Sequence, residues 1–133
     1  MLNLAIVNDN YEKINRVGEI KVLIIAERLE AQAFLIEKCI DAGVKAQNIL
    51  NHNNAGNIRD YITDDITHVI IDAHLYNYLV SNILNKFIDE KTLSILIYHG
   101  EDEVKTIRLI TDNRLMHINK MTTAMLLKKL LEE

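Results

Sequence analysis

Side chains able to do chemistry stand where the apolar runs of this sequence end. KVLIIAE (21–27) stops on Glu27, with Arg28 next, and THVIID (67–72) stops on Asp72, with His74 two positions on. LSILIYHG (93–100) delivers His99 and Gly100, and RLMHINK (114–120) delivers Lys120. Two carboxylates, an ammonium and an imidazole make a capable set if one edge collects them. In open parallel sheets that edge is the carboxyl end of the strands, where ligands bind. No local spacing forces the convergence; topology has to supply it. Asp72 also has a plain role, as the cap of a turn or helix, and Lys120 another, as a solvated charge.

The elements that would position these groups follow from the alternation of two periods. KVLIIAE is a continuous Val- and Ile-rich run, which predicts a strand buried on both faces. EAQAFLIEKCIDAG (30–43) carries Ala33, Ile36 and Ile40, with Leu35 and Cys39, at helical spacing. It closes on Gly43, a helix C-terminal glycine. NILNH (48–52) predicts a shorter strand, NNAGN a loop, IRDYI a short helix and Asp64–Asp65 a turn. Beyond the strand at 67–72, paired apolar positions at 79/80, 83/84 and 87/88 predict a helix, with DEK (89–91) as the loop after it. EDEVKTIRLI (101–110) opens with three acids, which suit the positive end of a helix. TTAMLLKKLLEE sets Leu126, Leu127, Leu130 and Leu131 on one face, with Thr122 or Thr123 as N-cap. A βα unit repeated five times predicts a parallel sheet with helices on both faces. The chain has no proline and four glycines, so its turns rest on Gly, Asn and Asp.

Residues 1–20 stand outside that count. LNLAIV and INRVGEI favour a hairpin around NDNYEK, an added structural or dimer-forming element; a strand followed by a short helix at 11–17 competes.

Bulk properties narrow the function classes. A chain of 133 residues with 49% hydrophobic and 26% charged residues is one globular domain able to bury its own core. The net charge of −4, with Lys and Arg scattered among the acids, offers no basic stripe for nucleic acid. The single cysteine, Cys39, excludes an internal disulfide and reads as a small apolar core residue. No apolar run reaches the roughly 20 residues of a membrane span. MLNLAIVNDN lacks the charged region and cleavage site of a signal peptide, so the cytoplasm is the expected compartment.

Three segments together carry a resemblance. VLIIAERLEAQAFLIEKCIDAG resembles the opening strand and helix of the receiver domains of bacterial response regulators. THVIIDAHL resembles their phospho-acceptor strand, and HINKMTTAMLLKKLLEE their last strand, lysine and final helix. The resemblance spans residues 21–131 and implies a flavodoxin-like doubly wound sheet in strand order 2-1-3-4-5, the order the chemotaxis receiver exemplifies. It places Asp72 on the aspartate that takes a phosphoryl group from a phosphohistidine, a carboxylate-nucleophile step. It places Glu27 on the second acid of the pair that, with the acceptor, holds Mg²⁺. Lys120 falls on the lysine that pairs with phosphoryl oxygens.

The departures from the pattern are equally specific. The first acid of the pair is Ala26, which weakens any Mg²⁺ site at Glu27 and Asp72, because Mg²⁺ dehydrates reluctantly and needs hard oxygens. Arg28 adds a positive charge beside it. The switch Ser/Thr of the fourth strand falls on His99, too large for the same inward swing. The proline after the lysine falls on Met121, and Tyr76, Asn77 and Tyr78 occupy the loop after the acceptor, as loop aromatics or as a contact patch. His52, His68 and His117 show no ligand spacing with one another and read as surface or strand residues.

The expectation is a non-enzymatic, receiver-like signalling domain of a two-component phosphorelay with a degenerate acceptor site, acting through protein–protein contacts. Its expected partners are a histidine kinase or a downstream effector, with a homodimer through the 101–131 face as a further possibility. The competing version keeps Asp72 as a working phospho-acceptor. A small flavodoxin-like enzyme or ligand-binding domain using Asp72, His99 and Lys120 ranks last, for want of a Gly-rich phosphate loop or a nucleophile–base motif.

Overall fold

A computed structural model describes residues 20–91, 93–102 and 115–132. Five strands form one parallel sheet: β1 (Val22–Ile25), β2 (Ile49–His52), β3 (His68–Asp72), β4 (Ser94–Tyr98) and β5 (Leu115–Ile118), in order β2-β1-β3-β4-β5. That is the predicted doubly wound order. The register pairs Val22 with both Ile49 and His68, and Asp72 with Tyr98, so the strand ends come level at one edge. Val22 to Ile25 are fully buried, as a central strand covered on both faces requires.

The helices are α1 (Leu29–Asp41), α2 (Ile58–Tyr61), α3 (Tyr78–Lys91) and α4 (Thr123–Glu132). Alternation along each strand divides the core in two. On one face, Val22, Ile24, Ile70, Leu96 and Ile118 pack with Leu35 and Cys39 of α1 and Leu127 of α4. On the other, Leu23, Ile25, Val69, Ile71, Ile95 and Ile97 pack with Ile58 of α2 and Val80, Leu84 and Ile88 of α3. α1 closes as predicted on Gly43, at φ 105°. There the Gly43 N–H donates to Ile40 O and the Val44 N–H to Cys39 O, while buried Val44 packs in the same cluster as Cys39.

Several sequence expectations need correction. α1 turns Gln32, Leu35 and Cys39 inward, leaving Ala33 exposed and Ile40 46% exposed. The buried face is therefore centred one position away from the 33/36/40 stripe, because Gln32 finds polar partners inside. DEK (89–91) is the last turn of α3 rather than a loop. Tyr78 begins α3, whose N-cap is Asn77: its Oδ1 accepts the Val80 N–H at 3.0 Å. Thr122 and Thr123 bond back to Asn119 instead of capping forward. Asn119 Oδ1 accepts the Thr122 N–H at 2.9 Å, and the Thr123 hydroxyl donates to Asn119 O. The hairpin expected over 1–20, apart from buried Ile20, and most of the helix expected over 101–110 lie outside the described residues, as do the side chains of Leu126, Leu130 and Leu131.

Candidate functional site

The carboxyl edge of the sheet opens into a cavity of about 480 Å³. Arg28, Glu30 and Phe34 line it from α1 and the turn before it, Asp72 and His74 from the end of β3. Tyr98, His99, Gly100 and Glu101 line it from β4 and the turn after it, and Lys120 from the turn after β5. Topology thus brings Asp72, His99 and Lys120 to one place. Glu27 is exposed and is not part of the lining.

Asp72 is engaged locally. Its Oδ1 accepts the His74 backbone N–H at 2.9 Å, capping the 3₁₀ turn Ala73–Leu75, and meets the His74 ring Nδ1 at 2.8 Å. The Asp72 side chain is 15% exposed, while the His74 side chain is 76% exposed. The carboxylate is therefore recessed, and its imidazole partner faces solvent. The plain role of Asp72, a turn cap, is realised alongside its place in the cavity.

Lys120 is held by other groups. Its Nζ lies 3.7 Å from Glu101 Oε1 and 5.8 Å from the Phe34 ring centre, and its N–H donates to Gly100 O. Glu101 therefore serves here as the partner of Lys120. Tyr98 stacks on Phe34 at 5.9 Å between ring centres. Burial, then the negative charges of Asp72 and Glu101, push the Tyr98 hydroxyl pKa up.

His99, at the switch position, does not stand alone. Its Nε2 lies 2.8 Å from His117 Nδ1, with the rings 5.0 Å apart at 30°. One nitrogen must donate and the other accept, so the contact requires at least one unprotonated facing nitrogen. Burial, and then the charge of His99, lower the His117 pKa. His117 is thus a strand residue, as expected, whose ring meets the cavity-lining His99 without itself lining the cavity. The i, i+2 diagonal between neighbouring parallel strands carried that signal once the register was known.

Ala26 is fully buried in the apolar cluster beneath α1. Its carbonyl accepts from Gln32 Nε2 at 2.6 Å, and Gln32 Oε1 accepts from Asn51 Nδ2 at 2.7 Å. Gln32 ties the end of β1 to β2, a role its polar type concealed in the sequence. Among the described residues, no three His, Cys, Asp or Glu side chains group closely enough to hold a metal ion. With Ala26 in the core and Glu27 outside the cavity lining, this edge offers Mg²⁺ fewer hard oxygens than the receiver pattern does.

The remaining singled-out residues lie outside the cavity lining. Cys39 is buried, and its thiol pKa is pushed up to about 12 by burial. His52 stacks flat on Tyr61 with ring centres 3.6 Å apart. Tyr76 donates to Ser81 Oγ at 3.2 Å and packs on the core, whereas Tyr78 is 79% exposed.

No family model matches this chain, and no curated protein matches it. Among solved structures, the chain is similar to a protein of Burkholderia pseudomallei K96243 described as pilus assembly-related. The TM-score is 0.62 at 17% identity, covering 86% of this chain and 90% of that one. It is also similar to a response regulator receiver domain protein of Clostridium thermocellum, with a TM-score of 0.54 at 15% identity over 84% of this chain and 94% of that one. The fold is the receiver fold. At these identities the likeness is one of fold.

Proposed function

We propose that this chain is a receiver-like signalling domain whose acceptor site is degenerate and whose output is protein–protein contact. The observation that carries the reading is the fate of the acidic pair: one member is Ala26, in the core, and the other, Glu27, stands outside the cavity that holds Asp72. Without those oxygens, charge developing on a transferring phosphoryl group would lack the dication that normally spreads it. His99 is paired with His117 at 2.8 Å, which supports a fixed rather than a switching arrangement at that position. Partners under this reading are a histidine kinase or an effector. Any Mg²⁺ at Asp72 and Glu27 is weakly held.

The competing version, a working acceptor, draws on one fact: Asp72 and Lys120 line the same cavity. Titration with beryllofluoride and millimolar Mg²⁺, followed by amide shifts, separates the two. The expected result is no saturable change at Asp72, β4 or β5. Saturable changes there, lost in Asp72→Asn, would overturn the reading.

A further inference from the structure

We infer that His99 and His117 form a proton-operated latch between the carboxyl ends of β4 and β5, closed near neutral pH and released in acid. The register pairs Ile97 with His117 and Tyr98 with Ile118, so His99 reaches His117 on the diagonal between two neighbouring strands. Their facing nitrogens, His99 Nε2 and His117 Nδ1, are 2.8 Å apart while the ring centres are 5.0 Å apart. The rings therefore meet at their nitrogen edges, not face to face, and one nitrogen donates a hydrogen that the other accepts. A neutral pair makes this bond, and so does a pair that has taken up one proton. A pair that has taken up two cannot: both facing nitrogens are then donors, and like charges stand within a hydrogen-bond length.

The latch closes over the backbone bonds that join the two strand ends. β5 ends the sheet order, so among the described strands only β4 pairs with it. Past Tyr98 and Ile118 the pairing continues: the His99 N–H donates to Ile118 O at 2.9 Å and the Lys120 N–H to Gly100 O at 2.6 Å. His99 and Lys120 also line the cavity, so release of the rings is felt at its wall. Among the described residues, charged groups reach this place from Glu101 and Asp102 after β4, Lys120 after β5, and Arg28 and Glu30 around the start of α1. Asp72 and His74 come from the end of β3 and are bonded to each other, as Glu101 is paired with Lys120. α3 turns Val80, Leu84 and Ile88 to the sheet, none of them titratable. Burial, and then the charge of His99, lower the His117 pKa from 6.5, so the closed form is complete above that value and gives way as the pH falls. The latch needs no chemistry at Asp72 and is independent of the acceptor reading. Near neutral pH it keeps His99 fixed, and acid frees it.

The test is NMR on the whole chain from about pH 8 to about pH 4.5, following the ring nitrogens of the histidines and amide hydrogen exchange together. At the neutral end the two facing nitrogens should together carry one proton. Protection of the His99 and Lys120 N–H groups, corrected for intrinsic exchange, should lie below that of Ile24, the mark of a local opening. It should fall with the second protonation of the pair, by up to about tenfold per pH unit. In His117→Gln the new side chain does not titrate and can still accept a bond, so this fall should vanish. His99→Gln, read in the same way, is the second variant should the first prove unstable. Two protons on the facing nitrogens at the neutral end, or none, would overturn the inference. So would protection that is unchanged through the ring titration or equal to that of Ile24 throughout, and so would the same fall in the glutamine variant.

Discussion

A carboxylate at the end of a strand acquires its meaning from what it touches. Asp72 accepts two bonds from His74 at one oxygen atom, so it caps a turn while facing the cavity. Its position, and those of His99 and Lys120, were legible in the sequence because each terminates an apolar run. Their partners were not: Glu101 and His117 become visible only when β4 and β5 are laid side by side. Histidine burial also makes the stability of the fold depend on pH. His68 begins β3 with its Nδ1 2.7 Å from Thr67 Oγ1, and burial pushes its pKa down from 6.5 to about 4. Between those values the unfolded chain holds the proton and the folded protein does not. Stability from this group is complete above pH 6.5 and falls as the pH drops towards 4, by up to about 3 kcal/mol. His117, lowered for a similar reason, acts in the same direction. Urea midpoints at pH 7 and pH 4.5 should therefore differ less in His68→Gln than in the parent; an unchanged difference would refute this.

At the scale of elements, the strands were the plainest part of the sequence. Runs such as VLII and SILIY have few alternatives to burial in a parallel sheet. The face of α1 was misjudged, since a period count over apolar residues passes over a buried polar one. Gln32 is only 7% exposed and bridges the Ala26 carbonyl to Asn51, pinning the end of β1 beside the cavity. Gln32→Leu keeps the volume and removes both bonds, leaving the buried Ala26 carbonyl without that partner. It should cost about 1–2 kcal/mol in denaturant unfolding. A loss below a few tenths of a kcal/mol would mean that water replaces Gln32 at no cost. The start of α4 was legible as a cap region but with the wrong direction of bonding, because Asn119 rather than a threonine organises that turn.

For the whole molecule, βα alternation predicted a parallel sheet with helices on both faces, the resemblance to receiver domains implied its strand order, and the observed order agrees. Whether the edge is a live acceptor was not legible from order alone. That depends on whether residues 26 and 27 point hard oxygens at Asp72, and here one is a core alanine and the other lies outside the cavity. The most direct test of the central claim is intact-mass spectrometry after incubation with acetyl phosphate and millimolar Mg²⁺, alongside Asp72→Asn. Both proteins should keep their unmodified mass. A single phosphoryl adduct on the parent that is absent from Asp72→Asn would contradict the account.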